Sequence, residues 1–242
     1  MAHAPASTVS ACRHGLRRDA IVQSLIGDIF HGRLLAGQHL VTQDLAERFG
    51  VSHTPIREAL ITLGGIGLLT LQPNRGAVVR QISVREVREV CRVRRALECE
   101  AVRGAVGRIN PKRLNALAKD LARVQTQNGR GGVKAVAKAR DLDSQLHDLI
   151  AQSAGNLFLA GELNRLKLLF RAFRDVAWEH DSANNGFHRL AEEAREHLAI
   201  VHALLAGDRK NATAAMSAHI LSGMNYWSQA LPTPADSSSR PP

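Results

Sequence analysis

The chain has 242 residues and a formal charge of +10, from 32 Lys and Arg against 22 Asp and Glu. That length allows one large domain or two small ones, and 45% hydrophobic residues can fill a real core. The positive excess points to a polyanionic partner, nucleic acid before an anionic membrane surface, and no apolar run reaches the ~18 residues of a spanning helix.

Residues 1–15 read as a loose, disordered tail without the apolar core of a signal peptide. Helical periodicity starts near Leu16, puts Ile21, Leu25 and Ile29 on one face, and stops at Gly32. A connector with Gly37 follows. Thr42 is placed to cap a short helix over 43–49 that Gly50 ends. Thr54-Pro55 opens the next helix, with Ile56, Ala59, Leu60 and Leu63 facing inward as far as Gly64-Gly65. Strand candidates over 68–71 and 77–82 flank the turn Pro73-Asn74-Arg75-Gly76, which makes a hairpin.

The remainder reads as six helices. Ser83 and Glu86 form a capping box for a helix running to about 105. Further helices are expected over 110–127, 133–153, 156–179, 187–206 and 211–230. A loop is expected over 181–186, and a disordered Pro- and Ser-rich tail over 231–242. The fold class is therefore mainly α: a winged helix-turn-helix over 16–82 and an all-helical bundle over 83–230. Cys12, Cys91 and Cys99 are too few and scattered for a disulfide framework, and Cys91 and Cys99 read as buried thiols. A reducing cytoplasm is the expected setting.

The surplus charge is unevenly placed. Residues 1–80 carry 8 basic and 5 acidic side chains, residues 81–130 carry 12 and 5, and residues 131–242 carry 12 of each. The segment that reads as a DNA-binding head is thus only weakly basic, so its specificity rests on a few placed residues.

In a winged helix-turn-helix the second helix of the pair enters the major groove and the hairpin tip reaches the neighbouring minor groove or phosphates. Ser52, His53 and Thr54 stand at the start of that helix, where N–H groups and hydroxyls meet phosphates or base edges. Arg57 projects one turn in and can fork onto a guanine edge. Asn74, Arg75 and Gly76 form the hairpin tip, and Gln43 in the preceding helix completes the DNA-facing set.

The run LVTQDLAERFGVSHTPIREALITLGGIGLLTLQPNRGAVV, residues 40–79, resembles the DNA-binding domain of the GntR family of bacterial repressors. Ile29-Phe30-His31-Gly32 and Gly37 extend the likeness upstream. Ser52, Thr54, Arg57 and Gly76 match DNA-contacting positions of that family. The chain departs at His53, where the family carries Arg, which exchanges a permanent cation for a switchable one. Ala36 stands in place of a family Pro.

The helical half resembles the FadR-like class of that family, whose bundle is called the FCD domain. Asp143 and His147 lie four apart on one helix, Glu196-His197 on a later one and His219 on the last, with Gly207-Asp208 between. One carboxylate and three imidazoles from three helices can enclose a divalent cation such as Zn²⁺, Ni²⁺ or Mn²⁺. Each of these histidines alone would read as a hydrogen-bonded core residue; the four positions together favour a ligand set. His197 shares a face with Ala194, Val201 and Leu204 and points inward, whereas His202 falls about 140° away.

Open coordination positions would admit a small carboxylate effector, held at its other end by Arg94 of VRRALE, which matches an Arg of the FCD domain. Asn156 reads as a helix cap, and Trp178 as core.

Two functions follow. One is a DNA-binding transcriptional regulator, a homodimeric repressor on an inverted-repeat double-stranded operator, with a metal-held small carboxylate as effector. The alternative is a metal-dependent hydrolase or lyase. Against the alternative, Glu196 is adjacent to a ligand and expected about 100° off the site, so no carboxylate is placed as general base.

Overall fold

A computed structural model describes residues 7–30, 33–73, 75–80, 83–127, 132–183 and 188–230. The chain divides into two compact units, Met1–Ile82 and Ser83–Pro242.

In the first unit, α1 (Ser7–Phe30) is followed by β1 (His39–Leu40), α2 (Thr42–Phe49), α3 (His53–Gly65), β2 (Leu69–Gln72) and β3 (Gly76–Val79). Helix α1 starts well before Leu16 and so takes in residues 7–15 of the stretch read as a tail. Ile21, Leu25 and Ile26 are buried, as are Ile56, Ala59, Leu60 and Leu63 of α3, and the two helices pack together. Helix α2 ends at Gly50 in the left-handed conformation. Two expected caps are corrected. The N-cap of α2 is Val41 rather than Thr42, and that of α3 is Ser52 rather than Thr54. Both are extended, and neither makes a side-chain cap hydrogen bond.

The connector contributes a strand that the hairpin pattern did not reveal. β1 pairs antiparallel with β3, giving the sheet order β1-β3-β2. Two residues are too few to show alternation in a sequence. Gly76 holds the sheet together in a way no other residue would. Its φ is +93°, and a Cβ there would lie 2.0 Å from the Leu40 carbonyl oxygen. Asp28 of α1 is buried and accepts from Arg33 Nε at 2.6 Å and Arg48 Nη2 at 2.5 Å, which fastens α1 to the end of α2.

The second unit holds α4 (Val84–Ala105), α5 (Pro111–Gln127), α6 (Gly132–Ser153), α7 (Leu157–Ala183), α8 (His188–Leu205) and α9 (Arg209–Ala230). The capping box of α4 is complete: Glu86 N–H donates to Ser83 Oγ at 3.1 Å, and Ser83 N–H donates to Glu86 Oε2 at 3.0 Å. Asn156 caps α7, accepting from Leu159 N–H at 3.0 Å. Helix α7 runs through the start of the expected loop to Ala183, and α9 begins earlier than expected, at Arg209. Trp178 falls in a part of α7 whose side chains lie outside the described residues, as does the 231–242 tail.

Helix α4 packs on α6, α7 and α9, while α8 packs on α5, α6 and α9. Leu142, Leu146 and Ile150 of α6, Ile200 and Val201 of α8, and Met216 and Ile220 of α9 form the centre of the core. Gly104 lets α4 approach the end of α6, since a Cβ there would meet the Ala154 carbonyl oxygen at 2.3 Å. The apolar stripes of α6, α8 and α9 are interrupted by polar residues that all point into this same core.

Candidate metal centre and nucleic-acid interface

Asp143 and His147 sit one turn apart on α6, so both side chains leave the helix on one face. His197 on α8 and His219 on α9 meet them. All four are buried, and one ligand atom from each lies within 4.8 Å of every other. His147 Nε2 is 3.4 Å from His219 Nε2 and 3.6 Å from Asp143 Oδ1, and His197 Nε2 is 3.5 Å from Asp143 Oδ1. Ligands at ~2.0–2.1 Å in a tetrahedral shell lie about 3.4 Å apart, and three of the separations within this set are close to that. His197 Nε2 has no hydrogen-bond partner among the described residues. A buried nitrogen left so is costly unless something else uses its lone pair.

Two carboxylates stand behind the histidines. Glu196 Oε2 is 2.8 Å from His219 Nδ1. Glu98 Oε1 is 2.9 Å from His147 Nδ1, though off the N–H axis. Each contact favours the proton on Nδ1 and leaves Nε2 as a lone-pair donor toward the quartet. Burial alone would raise the Glu196 pKa. The His219 hydrogen bond and the Arg189 guanidinium outweigh it and hold the carboxylate at about 2. Arg189 grips both Glu196 oxygens, at 3.0 and 3.2 Å. Burial likewise acts to raise the Glu98 pKa, but His147 and Arg94 bring it to about 2. Desolvation pushes His219 down to about 3, with His197 adding to it, so its imidazole is neutral at pH 7.

Glu196 is not among the four converging ligands. It leaves α8 on a different bearing from His197, and that bearing leads to the far nitrogen of His219 on α9. Sequence reasoning missed Glu98 and Arg189. The available signals were weak: Glu98 lies four residues after Arg94, and Glu196 adjoins His197. Neither spacing shows which histidine receives the carboxylate.

Arg94 is buried, only 5% exposed. Its Nε is 3.2 Å from Glu98 Oε1, and its Nη2 is 3.3 Å from His147 Nε2. Phe170 and Trp227 flank its guanidinium, with ring centroids at 4.9 and 5.5 Å. It lines a cavity of about 430 Å³ together with Asp143, His147, Lys167, Phe170 and Arg171. The cavity thus borders two of the four candidate ligands. Lys167 is paired with Asp148. His202 is exposed, and Cys91 and Cys99 are buried.

In the first unit, Gln43, His53, Arg57, Arg75 and Gly76 line one shallow surface groove of about 650 Å³, with the exposed Ile61 and Leu71. Ser52 and Thr54 are exposed at the start of α3 but do not line it, and Asn74 lies outside the described residues. His53 Nε2 is 2.6 Å from Gln43 Oε1, and Gln43 Nε2 donates to Glu47 Oε1 at 2.6 Å. Gly76 has a structural duty in this sheet besides any DNA contact.

The first unit is a three-stranded winged helix-turn-helix, the architecture of a DNA-binding regulator, and the second is a bundle with a buried three-histidine, one-carboxylate set. The family described as "Bacterial regulatory proteins, gntR family" matches residues 17–79, and the FCD domain matches residues 89–222. The chain is 30% identical to the HTH-type transcriptional repressor RspR of Escherichia coli (strain K12), over 83% of this chain and 84% of that one. It is 28% identical to the probable D-xylose utilization operon transcriptional repressor of Paenarthrobacter nicotinovorans, over 84% and 83%. The solved structure of E. coli McbR/YncC superposes with a TM-score of 0.68 at 22% identity, covering 88% of this chain and 97% of that one. The chain belongs to the GntR family of bacterial transcriptional regulators and carries the FCD domain. Its relatives are regulators of transcription, not enzymes, and they give the hydrolase or lyase alternative no support. Within the described residues no helix is long and apolar enough to cross a membrane.

Proposed function

We propose that this regulator is a homodimeric, cytoplasmic repressor whose grip on an inverted-repeat operator is set by a small carboxylate bound at a divalent metal ion. Asp143, His147, His197 and His219 would hold the metal, with Zn²⁺, Ni²⁺ and Mn²⁺ as candidates by donor type. The observation that carries this reading is the convergence of those four buried ligand atoms within 4.8 Å, with His197 Nε2, which makes no hydrogen bond among the described residues, one of them. A bound metal supplies a Lewis-acidic centre with positions left for a carboxylate.

Arg94 borders the adjoining cavity and would hold the rest of the effector. Its Nη2 and a metal ion draw on the same lone pair of His147 Nε2. At the DNA end, Gln43, Ser52, His53, Thr54, Arg57, Asn74, Arg75 and Gly76 form the proposed contact set, with α3 in the major groove. Control requires that the effector bind the DNA-competent and DNA-incompetent states with different affinity.

The test is a mobility shift of the protein's own promoter fragment, with small organic acids added in the presence and absence of metal. Release that needs both acid and metal supports the scheme. Identical metal content in purified wild-type and His147→Ala proteins rejects the metal centre.

A further inference from the structure

The bundle has a second concave feature, and it does not touch the metal quartet. An open groove of about 920 Å³ runs between α4 and α9. Arg92, Arg95 and Arg103 of α4 form one wall, and Arg209 and Lys210 of α9 stand on the other. No Asp or Glu lines it. Arg103 is paired with Glu100 at 2.9 Å on its own helix. Among the described residues, Arg92, Arg95 and Arg209 make no ion pair. Asp208, beside Lys210, accepts from the backbone and side-chain N–H groups of Asn211 and also interacts with the Lys210 charge.

Some exposed arginines elsewhere in the bundle pair within their own helix. Arg165 pairs with Glu162 and Arg195 with Glu192, each three residues apart. Here two helices instead present cations to each other across a shared seam, which is unfavourable in the absence of an anion between them. The middle of the sequence, residues 81–130, carries 12 basic against 5 acidic side chains, and part of that excess is spent on this wall.

We propose that the groove is a binding site for a small polyanion bearing two or three linked phosphates. Three properties select that class. The volume lies within the roughly 300–1,000 Å³ of small-molecule sites, and the cations converge from two sides of a concavity, whereas a duplex backbone is met by an outward-facing surface. Four arginines offer planar forks that match phosphate oxygens bidentately. Ser217 lies along the same seam with a hydroxyl that can donate. Three of these cations, Arg92, Arg95 and Arg209, have no ion pair among the described residues, more charge than a simple carboxylate neutralises.

The experiment is calorimetric titration of inorganic triphosphate into the full-length protein at fixed ionic strength, without added metal. Saturable binding of one triphosphate per chain is expected. It should weaken at least tenfold in Arg95→Glu/Arg209→Glu, to a lesser degree in the milder Arg92→Gln/Arg95→Gln, and remain unchanged in Arg57→Ala and His147→Ala. Those last two variants separate this site from the DNA head and from the metal centre. The proposal is overturned if binding is not saturable, or if the groove variants bind as well as wild type. It also fails if the groove variants change the oligomeric state, which would make this face a contact between copies. Displacement of triphosphate by an unrelated DNA duplex, lost in the groove variants, would assign the groove to nucleic acid instead.

Discussion

Glu196 Oε2 lies 2.8 Å from His219 Nδ1, across 23 residues of sequence and from one helix to another. The carboxylate fixes the ring's orientation and tautomer, and Arg189 fixes the carboxylate in turn. Carboxylates behind metal-binding histidines are commonly worth 10–100-fold in metal affinity. Glu196→Gln should therefore weaken metal binding by about that factor, read by competition against a chromogenic chelator. Unchanged affinity with an intact helical signal would show that the pair is only structural.

The metal-free protein should lose stability in acid in two stages. His219 is neutral in the fold with its pKa lowered to about 3, whereas the unfolded imidazole takes a proton near ~6.5. Between those values the unfolded state binds more protons, so stability falls as pH falls. Glu98 and Glu196, both held at about 2, add a second loss as pH drops below the ~4.3 of an unfolded glutamate. Thermal midpoints in chelator should decline from about pH 6.5 downward. A midpoint flat from pH 7 to pH 5 would contradict a neutral buried His219.

Arg94→Met should destabilise even the effector-free protein. The substitution leaves Glu98 buried with a lost partner, a change that commonly costs about 3–5 kcal/mol. Urea unfolding of the metal-free chain measures it, and Arg94→Met/Glu98→Gln should recover part of the loss. Loss of effector response in an Arg94 variant therefore needs this control before it is assigned to binding.

Arg57→Ala should weaken operator binding by about 1–3 kcal/mol if its fork reads a guanine. If Arg57 only clamps a phosphate, operator and unrelated DNA should weaken alike, and the salt slope should fall by about one. Mobility shifts at several salt concentrations separate the two. Full retained affinity would remove α3 as the reading helix.

Gly76→Ala should disrupt the wing. The added Cβ meets the Leu40 carbonyl oxygen at 2.0 Å, and the backbone conformation at φ +93° is unfavourable for alanine. DNA binding should drop sharply while metal binding by the bundle persists. A variant that shifts DNA normally would show that β1 and β3 can part without loss of the interface.

The sequence alone determined much of this protein because its signals are local. The Ser83–Glu86 capping box, the Asn156 cap, the inward face of Ile56, Ala59, Leu60 and Leu63, and the four-residue step from Asp143 to His147 depend on helical spacing within one segment. The run over 40–79 carried the family likeness for the same reason. Tertiary structure decided what joins distant segments. Strand β1 exists because β3 offers it a partner, and Gly76 is required by the approach of Leu40. Glu196 serves His219 because α8 and α9 pack face to face, and Arg94 is buried because Phe170 and Trp227 close around it. The +10 charge gave the class of partner at once, but only the folding of α4 against α9 showed that five of those cations face one another across a single groove.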